Sequence, residues 1–226
     1  MAVVSLYRST IGKKVIMAVT GFIWVGYVIL HMFGNLKYFV GATSINGWAE
    51  FLRTFGQDIL GYSGFLWVVR LVLITSVLLH ILMAYQLTQL DWASRPVRYS
   101  GRSYLSATFS GRTMRWGGVF IVLFLVYHIL HMTVGNIHPN YEELKPYHNL
   151  VVAFRDPIQV VFYVAAMIVL GLHLYHGVWS MLQTLGVNSF PRNATLHRVA
   201  QAIAILVPLG FISLPIAILL GIGVRP

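Results

Sequence analysis

The 226-residue sequence contains no cysteine and very little charge. The absence of cysteine excludes disulfide bonds, thiolate metal sites, cysteine-ligated iron–sulfur clusters and covalently attached c-type haem. Only 10% of the residues are charged, whereas 58% are hydrophobic. A soluble domain of this size needs more charge to cover its surface, so the composition predicts a membrane protein.

Charged residues are missing altogether from five long runs of the chain. These runs span residues 15–36, 71–90, 116–141, 157–191 and 199–224. Each reaches or exceeds the roughly 20 residues that an α-helix needs to cross the hydrocarbon core of a membrane. Because backbone amides in hydrocarbon must be satisfied within the span, the runs predict an all-α, polytopic protein. We expect one membrane domain, residues 1–226, with helices at approximately 15–39, 63–90, 114–137, 157–184 and 199–223.

Basic residues concentrate on one side of the predicted spans. The N-terminal segment and the second and fourth loops contain Arg8, Lys13, Lys14, Arg95, Arg98, Arg102, Arg112, Arg115, Arg192 and Arg198. The positive-inside rule therefore predicts a cytoplasmic N-terminus and, after five crossings, an outer C-terminus. It also accounts for the formal net charge of +10, so we do not expect nucleic-acid binding. The two outer loops are expected to hold short interfacial helices within residues 45–56 and 147–157.

Six of the nine histidines lie inside the predicted spans, although an ionisable side chain is costly to place in hydrocarbon. The first four helices contain His31, His80, His128, His131, His173 and His176, and the fifth helix is expected to contain none. Counting about 1.5 Å of rise per residue from the flanking charges gives two layers of histidines. The outer layer contains His31, His128 and His131, and the inner layer contains His80 and His173.

Two imidazoles that meet at one depth are suitable axial ligands for a b-type haem, because each can bind iron through one ring nitrogen. A flat haem also needs small residues beside its ligands. Gly34, Ala84 and Gly177 each follow a histidine by about one helical turn, on the same face. The same small residues are also typical of close helix packing.

Two other kinds of site could use these histidines. A structural zinc site needs a closed tetrahedral cluster, and the spans offer neither cysteine nor carboxylate for one. A transporter could use the histidines as a proton relay without any cofactor, although the spans lack the acidic residues that usually accompany such a relay.

Four segments of the chain resemble the five-helix, di-haem cytochrome b subunit of bacterial succinate:quinone oxidoreductases and fumarate reductases. These are MAVTGFIWVGYVILHMFGNL, LLHILMAYQLT, RWGGVFIVLFLVYHILHMTVG and GLHLYHGVWSMLQTLG, and the last contains the most specific element, His-x-x-x-Gly-x-Trp-Ser. The resemblance implies a distal haem b with His31 and His128 as axial ligands. It also implies a proximal haem b, nearer the cytoplasm, with His80 and His173. Depth alone does not choose between His128 and His131.

The resemblance implies a membrane-anchor and electron-transfer subunit in the bacterial cytoplasmic membrane. A flavoprotein subunit, which performs the succinate chemistry of the tricarboxylic acid cycle, and an iron–sulfur subunit would bind its cytoplasmic face. Menaquinone or ubiquinone would be the electron partner in the lipid, and a higher oligomer of the complex is compatible with this assignment. The alternative that also uses two haems for electron transfer is the di-haem cytochrome b of a hydrogenase or formate dehydrogenase.

Less specific candidates lie around these ligands. A quinone needs a hydrogen-bonding or proton-handling group near the membrane surface. Candidates are Trp48, Glu50 and Arg53 in the first outer loop, and Ser5, Tyr7, Arg8 and Trp179 at the inner face. Haem propionates need cations or hydrogen-bond donors, for which Arg70, His131 and His176 are the candidates.

Overall fold

A computed structural model describes residues 7–94, 109–187 and 193–223 of the chain. Within these residues the regular secondary structure is helical, without a strand, and five helices are long and apolar enough to cross a membrane. The prediction of an all-α, five-helix membrane protein is therefore confirmed. Ser5, Arg95, Arg98, Arg102 and Arg192 lie outside the described residues.

Five spans and two loop segments follow one another along the chain. The first span, α1, is Thr10–Leu36 and continues as a 3₁₀ turn, Lys37–Phe39. The next loop contains α2, Ala42–Thr54, and the single turn α3, Gln57–Leu60. The second span is α4, Gly64–Ala93, and the third is α5, Phe109–Ile129, which ends in a π-helical turn, Leu130–Val134. After α6, Pro146–Phe154, the last two spans are α7, Pro157–Thr184, and α8, Asn193–Leu219.

Three spans begin earlier than predicted, because their first turns contain polar and charged residues. The hydroxyl of Ser9 accepts a hydrogen bond of 2.9 Å from the backbone N–H of Gly12 and so caps α1 before its two lysines. Similarly, α5 begins at Phe109 and α8 begins at Asn193. The earlier start of α8 includes His197, so the prediction that the fifth helix contains no histidine is wrong.

The fourth span begins where it was predicted, for a local reason. The carboxylate of Asp156 accepts a hydrogen bond of 2.9 Å from the backbone N–H of Ile158, and Pro157 occupies the first helical position. Proline suits this position because its missing N–H would have no partner there and its fixed φ matches the helix.

Helices α7 and α8 pack closely against each other at a proline. Pro208 lies inside α8 and has no N–H to donate to the carbonyl of Ala204. A Cβ atom added to Gly171 of α7 would lie 3.0 Å from that carbonyl oxygen and 3.2 Å from the Pro208 ring. Glycine at this position therefore lets α7 pack directly against the interrupted turn of α8.

The packing of the spans leaves two diagonal gaps. Helix α1 packs against α4, α7 and α8, and α7 also packs against α5 and α8. The pairs α1/α5 and α4/α7 are not among the closely packed pairs of the described helices. Side chains on these two pairs can therefore face each other across a gap.

The two loop helices cap one end of the bundle. Tyr38 and Tyr147 stack with ring centroids 5.2 Å apart, and their hydroxyls donate hydrogen bonds to the carbonyls of Ile222 and Gly223 beyond α8. The short helices predicted in the loops are present as α2 and α6. Most residues of α6 are buried, so this helix belongs to the core of the capped end. Its sequence, PYHNLVVAF, has apolar residues on more than one face, which explains its burial.

Candidate cofactor-binding site

The first histidine pair lies in the gap between α1 and α5. The rings of His31 and His128 have centroids 5.9 Å apart and planes inclined at 79°. Tyr27 stacks on His31 and Phe124 stacks on His128, each from the preceding turn of the same helix. Phe211 of α8 also contacts His31, with centroids 5.6 Å apart. Neighbouring aromatic rings therefore hold both imidazoles in an apolar environment.

The second histidine pair lies in the gap between α4 and α7. The ring centroids of His80 and His173 are 6.4 Å apart. The Nδ1 atom of His80 lies 3.2 Å from the backbone carbonyl oxygen of Met17 and 3.2 Å from the hydroxyl oxygen of Thr20, both on α1. An Nδ1–H group can donate to the Met17 carbonyl, which leaves Nε2 of His80 unprotonated and able to bind a metal ion.

The partner imidazole, His173, borders an apolar cavity. Its Nδ1 atom is buried and has no hydrogen-bond partner. The cavity has a volume of about 300 Å³ and is lined beside His173 by Gly117, Phe120, Val169 and Leu172. An unsatisfied buried polar atom costs on the order of 1–3 kcal/mol, so an imidazole next to an apolar space is an arrangement that suits a bound group.

Glycines of neighbouring helices leave room beside the second histidine pair. A Cβ atom on Gly21 of α1 would lie 3.5 Å from Cε1 of His80, and one on Gly118 of α5 would lie 3.8 Å from Cε1 of His173. Any side chain longer than alanine at these positions would compete with the imidazoles for space. The sequence did not identify either glycine, because each faces a histidine on a different helix.

The glycines that were predicted to flank a cofactor have different surroundings. A Cβ atom on Gly34 would lie 2.8 Å from Nε1 of Trp48, so this glycine makes room for the loop helix α2. Gly177 has no such neighbour within 4 Å, which leaves open space one turn after His173. Ala84 is half-buried on α4. Of these two glycines, only Gly177 retains open space beside it for a flat group.

The second histidine of α5 makes contacts outside the gap. His131 is 1% exposed, and its Nδ1 atom lies 2.9 Å from the hydroxyl of Tyr163 on α7. Its ring also packs against His138 of the following loop, with centroids 5.0 Å apart. The structure therefore brings His128, and not His131, against His31.

The two remaining candidates for propionate contacts are half-buried. His176 lies on α7, three residues after His173. The guanidinium of Arg70 lies 4.8 Å from the ring centroid of Trp67 and interacts electrostatically with Tyr27, the residue that stacks on His31. Arg70 is thus near the level of the first histidine pair.

The quinone candidates on α2 have three different surroundings. Trp48 packs against α1, and the ammonium of Lys37 lies 5.2 Å from its ring centroid. Glu50 is exposed. Arg53 donates a hydrogen bond of 3.0 Å to the carbonyl of Ala49 on its own helix. These contacts give no sign of a shared binding pocket.

The described quinone candidates at the opposite end, Tyr7, Arg8 and Trp179, have different surroundings. The Trp179 ring stacks on His197 of α8, with centroids 3.5 Å apart and planes inclined at 19°. The hydroxyl of Tyr7 accepts a hydrogen bond of 3.0 Å from the side-chain amide of Gln86. Arg8 is exposed. The Trp179–His197 stack was not foreseen, because the predicted start of the fifth helix lay beyond His197.

An acidic residue of the second long loop stays ionised at neutral pH. The hydrogen bond from Lys145, 2.6 Å long, is the largest cause that lowers the pKa of Glu142 below its ordinary value. Nearby His148, at 3.4 Å from the other carboxylate oxygen, acts in the same direction. A group that titrates below its usual range is a poor proton carrier at neutral pH.

The donor set fits haem better than a free metal ion. Two imidazoles on opposite sides of one iron have ring centres about 6 Å apart, because each metal–nitrogen bond is about 2 Å long and each ring centre lies about 1 Å further. Both histidine pairs have this separation. In the part of the chain that is described, no group of three or more His, Asp or Glu side chains could hold a metal ion. Haem supplies its own equatorial ligands and needs only two imidazoles.

Comparison with known proteins identifies no relative of this chain. No protein-family model, curated protein or solved structure matches the chain.

Proposed function

We propose that the chain is the membrane-anchor and electron-transfer subunit of a bacterial succinate:quinone oxidoreductase, with two b-type haems. The observation that carries the proposal is the meeting of four histidines as two pairs in two gaps between helices. Each pair has the ring separation that an iron atom between two imidazoles requires. Histidines are costly in hydrocarbon, and ligation of a cofactor offsets that cost.

The chain's own residues would hold the two groups in different ways. The Met17 carbonyl and the Thr20 hydroxyl orient His80 through its Nδ1 atom. Tyr27 and Phe124 hold the first pair by stacking. Haem, when bound, would supply reversible one-electron transfer. The apolar walls would exclude water from both groups.

The resemblance and the charge pattern supply the partners in this proposal. Arg112 and Arg115 are exposed at the N-terminal end of α5, and Arg115 forms an ion pair with Asp91 at the end of α4. This basic end supports a cytoplasmic position, where an iron–sulfur subunit and a flavoprotein subunit would bind. The electron partner in the membrane would be menaquinone or ubiquinone.

The test is to purify the complete complex from native membranes through an affinity tag on this chain. We expect a reduced-minus-oxidised spectrum of b-type haem, with about two haems per chain. Mass spectrometry should identify a flavoprotein and an iron–sulfur protein in the same particle, and succinate should reduce at least one haem. Replacement of His80 by leucine should remove one haem, whereas the matched replacement of His148, a half-buried residue of α6 outside both pairs, should remove none.

Two results would contradict the proposal at different levels. A folded, fully assembled complex without haem would exclude electron transfer by this chain and favour a histidine-relay transporter. A particle with two haems but without a flavoprotein would retain the cytochrome assignment. That second result would exclude succinate chemistry and favour the membrane subunit of another dehydrogenase.

A further inference from the structure

The hydroxyl of Tyr163 lies between two histidines of the neighbouring helix. It is 2.9 Å from Nδ1 of His131 and 3.5 Å from Nδ1 of His128. Tyr163 is 6% exposed, and Phe124 and Phe154 pack edge-on against its ring, with centroids 5.2 and 4.9 Å away. Packing by these two rings therefore holds the phenol ring beside the two histidines.

The chemistry of the three groups allows one consistent set of proton positions when His128 binds a metal ion. A phenol has one hydrogen to donate and accepts hydrogen bonds through its oxygen. If His128 binds iron through Nε2, its proton is on Nδ1 and points to the Tyr163 oxygen. The Tyr163 hydrogen is then donated to Nδ1 of His131, which is the shorter of the two contacts. The Nδ1–H of His128 and the hydroxyl of Tyr163 thus each have an acceptor.

We propose that Tyr163 is a positioning residue that fixes the orientation and tautomer of His128, and that His131 orients the Tyr163 hydroxyl. The proposal rests on the proposed function, because it assigns His128 to a haem. In this proposal His131 is a buried hydrogen-bond acceptor for the Tyr163 hydroxyl. It does not need to bind iron.

The loop beyond α5 holds His131 in turn. Its neighbour His138 is buried, and Nε2 of His138 lies 2.9 Å from the carbonyl oxygen of Asn149. The backbone N–H of Asn140 donates a hydrogen bond of 3.2 Å to Nδ1 of His138. Both ring nitrogens of His138 are therefore engaged, which fixes the surface against which His131 packs. The three-residue arrangement is supported from the loop side as well as from α7.

The two proposed ligands with a hydrogen-bonded Nδ1 differ in their acceptor. His80 faces a backbone carbonyl and His128 faces a phenol. A hydrogen bond from Nδ1–H to an acceptor raises the basicity of a ligating imidazole. A more basic ligand stabilises oxidised iron, so loss of the Tyr163 hydroxyl should raise the midpoint potential of the distal haem alone.

The experiment compares variants of the purified, complete complex by potentiometric titration and by electron paramagnetic resonance of the oxidised haems. Tyr163→Phe removes the hydroxyl and keeps the ring, and His131→Leu removes its acceptor. His131→Asn is the conservative variant, because an asparagine side-chain oxygen can occupy the position of Nδ1. Tyr127→Phe is the matched control, since this phenol donates a 2.6 Å hydrogen bond to Gln159 instead. The distal component is identified by its loss in His128→Leu.

We expect Tyr163→Phe and His131→Leu to keep both haems, raise the midpoint potential of the distal haem and shift its low-spin resonance. His131→Asn and Tyr127→Phe should match the wild type. If both Tyr163→Phe and His131→Leu have wild-type potentials and spectra, the positioning role of Tyr163 is overturned. The presence of two haems in those variants would still support the cytochrome assignment. If Tyr163→Phe does not assemble, the His131→Leu and His131→Asn pair decides by the same two readouts. A wild-type complex without haem would overturn the proposed function and this proposal together.

Discussion

The imidazole rings of His31 and His128 lie 5.9 Å apart although their helices, α1 and α5, do not pack closely against each other. Their separation is set by α7, which packs against both helices. The His80–His173 pair has the corresponding arrangement, because α1 packs against both α4 and α7. In each pair, a shared neighbour holds two helices apart and keeps their histidines facing each other.

The first prediction concerns the choice between the two histidines of α5. His128→Ala should reduce the haem content of the purified complex from about two to about one per chain, because it removes a proposed iron ligand. His131→Ala should retain about two haems, because His131 contacts Tyr163 and His138 and not His31. Haem content is measured by the pyridine haemochrome assay against protein concentration. The reverse pattern would assign the ligand to His131.

The spans could be predicted from the sequence because hydrocarbon thickness sets their length and excludes charge from their middle. Their ends could not be predicted equally well. Lys13, Lys14, Arg112 and Arg115 all lie inside helices, since long basic side chains can extend from the first turns of a helix to the membrane surface. Division of the sequence at its charges therefore places these starts too late.

The levels of the histidines could also be predicted, because depth follows from the rise per residue. The contacts that surround them could not. Gly21 and Gly118 face histidines of other helices, and no spacing within one helix indicates such a neighbour. Tyr163 had one signal, since a phenol in the middle of a charge-free run needs a hydrogen-bond partner. The partner itself depends on how α5 and α7 pack.

A second prediction concerns orientation in the membrane. Five spans place the two ends of the chain on opposite sides, and the basic residues favour a cytoplasmic N-terminus. Alkaline phosphatase fused after Gly223 should therefore be active, and a fluorescent protein fused after Ser94, at the end of α4, should fluoresce. Each fusion site is tested with both reporters, so that every site has its own control. If the phosphatase fused after Ser94 is active, the orientation is the reverse of the one predicted.

A third prediction compares two glycines near Trp48, Gly34 on α1 and Gly47 on α2. Gly34→Ala should destabilise the protein by about 1–3 kcal/mol, because the new Cβ atom would lie 2.8 Å from the indole Nε1 and force α2 to move. Gly47→Ala, one residue before Trp48, meets no atom within 4 Å and should be neutral or slightly stabilising, since alanine favours a helix. Thermal unfolding of the detergent-solubilised complex measures both. Equal melting temperatures would show that α2 does not depend on this contact.

The fourth prediction tests whether the open space beside Gly177 receives a cofactor. Gly177 and Gly26 both have no atom within 4 Å of an added Cβ, so neither substitution creates a clash within the protein. The two positions differ in exposure. Gly26 is exposed on α1, whereas Gly177 is half-buried one turn after His173.

Gly177→Leu should therefore remove the proximal haem and leave the distal one, because the leucine would fill the space that the proposed haem would occupy. Gly26→Leu should retain both haems. Haem content and the loss of one component in the redox titration measure this difference, and circular dichroism checks that the helices of both variants are intact. Two haems in Gly177→Leu would mean that the group bound by His173 lies on another side of the imidazole, towards Gly118. A loss of the distal haem instead would contradict the assignment of His173 to the proximal pair.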